Sequence, residues 1–175
     1  MTPLVLKLGG ELVETVDQRA RLAAFARTAI ALRPLVVIHG GGRAVDAELA
    51  RRQIAPRKAD GLRITDAPTL EVVVAVLGGS ANTDLVAALV GAGVSAVGLT
   101  GVDAGFGRAV RSGAHRTTTG SLVDLGFVGD PIDADPTLLR VLVSHHYVPV
   151  IASLGFGAGP EGTPSILNVN ADVMA

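Results

Sequence analysis

Short apolar runs alternate with longer amphipathic stretches along this chain. Leu4-Val5-Leu6-Lys7-Leu8, Leu35-Val36-Val37-Ile38, residues 94–99 and Val148-Pro149-Val150-Ile151 are near-continuous apolar segments, the pattern of strands covered on both faces. Between them, residues 16–32 set Leu22, Ala23, Phe25, Ala26 and Ala29 on one side and predict a helix. Residues 43–52 predict a second. Asp66 can cap a third that runs to residue 77, with Pro68 tolerated in its first turn; residues 72–77 alone fit a strand equally well by composition. Residues 81–90 and 135–146 predict further helices. Residues 54–65, with Pro56 and Asp60-Gly61, predict a β-hairpin or lid, and residues 105–129 lack helical period and predict hairpins. Residues 168–175 read as the opening of a helix. Neither a repeat nor a linker interrupts the pattern, so residues 1–175 are expected to form one α/β domain, a parallel sheet covered by helices on both faces. Ligands of such sheets bind at the strands' carboxyl ends. The loops after Leu8, Ile38, Leu99 and Ile151 are expected to converge there.

Composition narrows the picture. The chain has 175 residues, enough to bury one core, and a mean hydropathy of +0.47. No uninterrupted apolar run reaches the roughly 20 residues of a membrane span, so no membrane association is expected. The apolar surplus is read as a deeply buried sheet or a surface that expects a partner, and the nearly all-apolar run 72–77 points to a homodimer. A net charge of −1 and 3% aromatic residues leave no footprint for nucleic acid. The absence of cysteine excludes disulfides and thiolate metal sites. Leu4 to Leu8 is too short for a signal peptide and contains Lys7, which makes a cytoplasmic location the expectation.

The candidate chemistry sits at two glycine turns. His39-Gly40-Gly41-Gly42 follows the second apolar run and precedes a helix, and Gly9-Gly10 follows the first, whose strand carries Lys7. Strands that end in side-chain-free residues leave backbone N–H groups bare for a phosphate or carboxylate. Tight strand–helix turns need glycine for steric reasons alone, so the turns by themselves fit a purely structural role as well.

Lys7-Leu8-Gly9-Gly10-Glu11-Leu12, His39-Gly40-Gly41-Gly42, Gly61-Leu62-Arg63-Ile64-Thr65-Asp66, Ala96-Val97-Gly98-Leu99-Thr100-Gly101, Asp124-Leu125-Gly126-Phe127-Val128-Gly129 and Asn168-Val169-Asn170-Ala171-Asp172 occur in this order across the chain. In these segments the sequence resembles the amino acid kinase family, most closely its acetylglutamate kinase branch, which the Gly61–Asp66 segment sets apart from the aspartate, carbamate and nucleotide kinases. The resemblance implies a three-layer αβα sandwich with a mainly parallel central sheet, truncated here to the N-terminal, acetylglutamate-binding portion. It implies phosphorylation of the side-chain carboxylate of N-acetyl-L-glutamate by ATP with Mg²⁺, a step of arginine biosynthesis, in a homodimer. Family members are longer, with a nucleotide-binding half and a second phosphate-contacting lysine beyond the region matched here, so this chain alone is expected to bind substrate without catalysis. Asn82-Thr83 departs from the Asn-Lys of many relatives. The N-terminal helix of arginine-inhibited members is missing, which likens the chain to the arginine-insensitive dimeric type.

Carried over residue by residue, Lys7 contacts the transferring phosphoryl group and is catalytic. Gly9 and Gly10 admit the phosphates. Gly41 and Gly42 present N–H groups to the substrate. Arg63 grips its carboxylate through two parallel hydrogen bonds. Asn168 and Asn170 donate to the acetamido group and the α-carboxylate. Asp172 organises Lys7; a glutamate carboxylate is already ionised at pH 7, so no base is required. Mg²⁺ arrives with the nucleotide, and no protein metal site is expected: Asp124, Asp130, Asp133 and Asp135 are read as solvated turn residues. His39 is read as structural, and His145 and His146 as surface residues. The alternatives are a non-catalytic acyl-amino-acid-binding module and a related kinase for a carrier-bound aminoadipate.

Overall fold

The computed structural model describes residues 2–159 and 162–175. The chain runs β1 (Leu4–Leu8), a short turn of 3-10 helix (Gly10–Leu12), α1 (Val16–Ile30), β2 (Leu35–His39), α2 (Gly42–Arg51), β3 (Lys58–Ala59), β4 (Leu62–Arg63), α3 (Ala67–Val74), a π-helical stretch (Ala75–Ala81) and α4 (Asn82–Gly91). It continues through β5 (Ala96–Thr100), β6 (Ala109–Arg111), β7 (His115–Arg116), β8 (Leu122–Val123), β9 (Val128–Pro131), α5 (Thr137–Ser144), β10 (Val148–Ala152), β11 (Leu154–Ala158), β12 (Pro164–Val169) and α6 (Ala171–Met174).

The four apolar runs form one parallel sheet in the order β1-β2-β10-β5. Strand alternation sends Leu35 and Val37 of β2 to one face, where they meet Ala23 and Ala26 of α1 and Leu85 and Leu89 of α4. Val36 and Ile38 face the other way, against Leu138, Leu139 and Val143 of α5 and Ala171 of α6. This is the three-layer αβα sandwich. Each large aliphatic side chain buried in it contributes about 1.5–3 kcal/mol. A capping box between Thr15 and Gln18 starts α1. The helix ends at Ile30, two residues before the sequence expectation, because Pro34 disfavours helical geometry at the residue before it and the chain closes with Leu32 N–H on Ala29 O.

Three expectations are corrected. Residues 66–77 and 81–90 are not two separate helices. Asp66 does cap the first, accepting from Thr69 N–H at 3.0 Å, but the helix passes through Gly78 and Gly79 as a π-turn and runs on from Ala67 to Gly91. A Cβ on Gly78 would press on Leu154 and Thr100, so glycine serves close packing here and does not break the helix. By length and composition alone this helix is apolar enough to cross a membrane. Its Val72, Val73, Val76, Leu77, Leu85 and Leu89 are buried in the chain's own core, so the apolar run does not by itself call for a second copy.

The second correction concerns the segment after the fourth core strand. A single residue, Ser153, separates β10 from β11, and β11 pairs with β12 in a second sheet of order β11-β12-β9-β6. Within residues 105–129, β7 and β8 form a local hairpin, while β6 pairs antiparallel with β9 and extends this second sheet. The third is the loop after β5. Gly101 N–H donates to Leu154 O at 2.8 Å, which ties the loop to β11 and keeps it out of the cleft described next.

Candidate functional site

The carboxyl ends of β1, β2 and β10 open on a cleft of about 270 Å³. Every site residue nominated from the sequence lines it: Lys7, Gly9, Gly10, Gly41, Gly42, Arg63, Asn168, Asn170 and Asp172. Lys58, Leu77 and Ser153, which sequence reasoning did not single out, line it too.

Lys7 arrives by alternation: Leu6 and Leu8 pack into the core with α1 and α4, and Lys7 leaves β1 on the opposite face. Its ammonium lies 2.5 Å from Asp172 Oδ1, with the lysine side chain 30% and the aspartate 67% exposed. Asp172 is set in place by Asn170, whose side-chain carbonyl accepts from Asp172 N–H at 2.9 Å and caps α6. The Asn170 carbonyl is therefore engaged, and only its NH₂ end can donate to a ligand.

The glycine turns pack backbone to backbone. A Cβ on Gly10 would fall 2.9 Å from Gly41 Cα, and one on Gly41 would fall 2.8 Å from the Leu77 side chain. Gly10 needs glycine, because the atoms it would meet are backbone; at Gly41 the atom met is the tip of the Leu77 side chain. Gly42 starts α2, so its N–H has no intrahelical acceptor and stands at the positive end of a ten-residue helix.

Arg63 comes from the hairpin. Asp60 and Gly61 both have positive φ, 48° and 84°, the geometry of a two-residue turn for which Asp-Gly is suited. The Arg63 guanidinium is 10% exposed and turned inward. It donates to Gly42 O at 3.0 Å and lies 2.5 Å from Asp46 Oδ1, a close ion pair whose angle is off a hydrogen bond's. Asp46 also holds Lys58 at 2.8 Å. Burial pushes the Asp46 carboxyl up, but its contacts with Lys58 and Arg63 outweigh that and hold it below the usual carboxylate range. Asp46 was missed from sequence; the available signal was its place four residues after Gly42, on the same face of α2. The expected double grip of Arg63 on a ligand carboxylate is thus partly taken up by protein acceptors.

Asn168 sits in β12 and donates to Thr65 Oγ1 at 3.2 Å, which leaves its second amide hydrogen for a ligand. The tip of the hairpin is tied down from outside. Asp60 accepts from His115 Nε2, Thr118 N–H and Thr118 Oγ1, each at 2.9 Å. The contact with His115, then those with Thr118, lower the Asp60 carboxyl pKa.

His39 is fully buried beneath the glycine turn, in a structural position. Asp124 holds Arg111 and the Gly126 N–H, and Asp135 holds Thr137. His145 and His146 are exposed.

Taken together, the cleft offers the ammonium groups of Lys7 and Lys58, backbone amides at two turns, an inward guanidinium and carboxamide donors. That set suits a small molecule with more than one anionic group.

Comparison with known proteins matches residues 2–175 to the amino acid kinase family. The acetylglutamate kinase of Symbiobacterium thermophilum is 45% identical over 175 residues, and the alignment covers 98% of this chain and 58% of that protein. The acetylglutamate kinase of Methanopyrus kandleri is 40% identical over 171 residues, covering 98% of this chain and 63% of that one. The chain therefore spans about three fifths of the length of these relatives. Among solved structures, a protein from Streptococcus mutans UA159 superposes with a TM-score of 0.77 at 25% identity, covering 99% of this chain and 65% of that one. The N-acetylglutamate synthase from Neisseria gonorrhoeae, solved in complex with coenzyme A and N-acetyl-glutamate, superposes at 0.75 with 26% identity, covering 97% of this chain and 37% of that one.

Proposed function

Because the chain belongs to the amino acid kinase family, we propose that it is the substrate-binding portion of an acetylglutamate kinase, which transfers the γ-phosphoryl group of ATP to the side-chain carboxylate of N-acetyl-L-glutamate in arginine biosynthesis. One observation carries the reading: the nominated residues, drawn from β1, α2, β4, β12, α6 and the turns that adjoin them, all line one cleft.

In this reading a carboxylate oxygen of the substrate attacks the γ-phosphorus, the bond from that phosphorus to the β–γ bridging oxygen breaks, and ADP leaves. The products are an acyl phosphate and ADP, and no proton needs to be removed from the attacking group. Catalysis is then positioning and charge stabilisation. Lys7 faces the charge that develops on the transferring oxygens, and Asp172 fixes the direction of its ammonium. The amides of Gly41 and Gly42 receive substrate oxygens, and those of Gly9 and Gly10 receive phosphate oxygens. Arg63, steadied by Asp46, meets a substrate carboxylate at the hairpin. Asn168 and Asn170 use their remaining amide hydrogens on the acetamido group and the α-carboxylate. Among the described residues Asp172 is the carboxylate lining the cleft, and it is paired with Lys7; in this reading Mg²⁺ would come with the nucleotide and neutralise phosphate charge.

Calorimetric titration of this chain tests the reading. N-acetyl-L-glutamate is expected to bind saturably and more tightly than 2-aminoadipate. The absence of a binding isotherm, or a preference for aminoadipate, overturns it. Self-association into a homodimer is part of the same proposal, and a sedimenting monomer at high concentration counts against that part.

A further inference from the structure

We infer that His39 is a positioning residue: it holds the Gly40–Gly41 peptide so that the Gly41 N–H faces the cleft. One of the readouts below rests on the reading of the cleft as an acetylglutamate site, and the other two do not.

The imidazole lies at the end of β2, shut off from solvent. Its protonation pattern follows from its neighbours. The side-chain NH₂ of Asn82 lies 2.9 Å from Val150 O, a carbonyl that can only accept. That contact fixes which end of the Asn82 amide is nitrogen, and the same NH₂ lies 3.0 Å from His39 Nε2. Nε2 is therefore the acceptor, and the ring's proton sits on Nδ1. Nδ1 in turn lies 3.0 Å from Gly40 O and donates to it. Burial, which holds the ring below its usual pKa, agrees with this neutral form. Gly98 makes room for the arrangement, since a Cβ there would collide with Asn82 Oδ1.

The consequence lies in the next peptide. Among the described residues no peptide bond is cis, and in a trans peptide C=O and N–H point in opposite directions. Fixing Gly40 O on the imidazole thus turns the Gly41 N–H away from His39. Gly41 lines the cleft and His39 does not. Glycines flank this peptide on both sides, so no Cβ restrains its rotation. The other nearby ties leave this plane to the ring: Gly40 N–H to Leu8 O and Ser153 N–H to His39 O both hold the preceding His39–Gly40 peptide, and Val45 N–H to Gly41 O holds the following one. His39 does no chemistry on a ligand. It sets the direction of an amide that does.

The test uses ¹⁵N-labelled chain and the variants His39→Asn and His39→Gln. Asparagine places its amide nitrogen near the position of Nδ1 and can still donate to Gly40 O. Glutamine places its nitrogen near that of Nε2 and cannot. The parent ring is expected to show its proton on Nδ1 by nitrogen chemical shift; a proton on Nε2 overturns the inference whether or not either variant folds. The residual dipolar coupling of the Gly41 N–H is expected to be kept in His39→Asn and lost in His39→Gln. Affinity for N-acetyl-L-glutamate is expected to stay near the parent's in the first and to fall about tenfold in the second, the scale of one lost hydrogen bond. Unchanged couplings in both variants, or losses in both that simply track melting temperature, overturn the inference. If the parent binds no acetylglutamate, the functional reading falls while tautomer and coupling still decide the role of His39.

Discussion

Lys7 and Asp172 meet at the mouth of the cleft because β1 turns one side chain away from the core and α6 starts where Asn170 caps it. The pair is partly exposed, and an ion pair of that kind adds about 0–1 kcal/mol to stability. Its value is directional. In a full-length kinase, Lys7→Met is expected to lower kcat by about 10²–10³ with little change in the KM for acetylglutamate, the scale of removing one electrostatic donor. Steady-state kinetics check this, and a loss below tenfold would remove Lys7 from the reaction. His39 gives a second expectation at this scale. Burial lowers its folded pKa from 6.5, with the Gly40 carbonyl acting in the opposite sense. The unfolded chain therefore takes up this proton at higher pH than the folded chain. The ring's contribution to stability is full above 6.5 and is lost as pH falls below it towards the lowered folded value. Chemical denaturation of parent and His39→Asn across that window is expected to show a slope in the parent that the variant lacks. Lys7 was legible because a lysine interrupts an apolar strand beside Gly9-Gly10, and Arg63 and the glycines because of the family motifs that surround them. Asp46 and Asn82 were not, because an aspartate on a helix face and an asparagine in a helix carry no local sign of what tertiary packing brings against them.

Elements were legible where periodicity and local chemistry agree. β1, β2, β5 and β10 stand close to where continuous apolar runs put them, and Asp60-Gly61 marked the hairpin through its demand for positive φ. β11 and β12 went unread. Gly155 and Gly157 lower strand propensity, and these strands exist because glycine lets them approach the backbone around Gly107 and Ala109. The π-turn went unread for a related reason: Gly78-Gly79-Ser80 is a break by propensity and a packing surface in three dimensions. β5 supplies a sharp test of this principle. Gly98→Ala would drive a methyl group into the Asn82 carboxamide, and Asn82 bridges α4 to β2 and β10. The expected outcome is a destabilisation of about 1–3 kcal/mol by denaturant titration, the usual scale of overpacking, with a larger perturbation of the His39 ring signals than of those from α1. An unchanged midpoint would mean that Asn82 moves aside freely and ties nothing together.

At the scale of the whole molecule, one cleft gathers parts from both sheets: β1 and β2 bring the glycine turns, β12 brings Asn168, and the hairpin brings Arg63. Family resemblance read from the sequence nominated these residues together, while their relative distances depended on a second sheet that the sequence pattern did not reveal. The arrangement also bears on what the chain is expected to do alone. Lys7, Lys58 and Arg63 are the cations lining the cleft among the described residues, and each already faces a carboxylate, Asp172 for the first and Asp46 for the other two. In the proposed function such a cleft would hold a small dicarboxylate through amides and shared cations. Phosphoryl transfer between two anions asks for more, a surplus of positive charge on the transferring oxygens, and relatives of this chain extend well beyond the region it matches. Incubated with ATP, Mg²⁺ and N-acetyl-L-glutamate, this chain is expected to yield no acyl phosphate above background when hydroxylamine is used to trap it. A polypeptide that continues to the full length of the relatives is expected to yield hydroxamate under the same conditions. Hydroxamate formed by the 175-residue chain alone would mean that Lys7 suffices as the electrostatic donor and that its pairing with Asp172 opens during turnover.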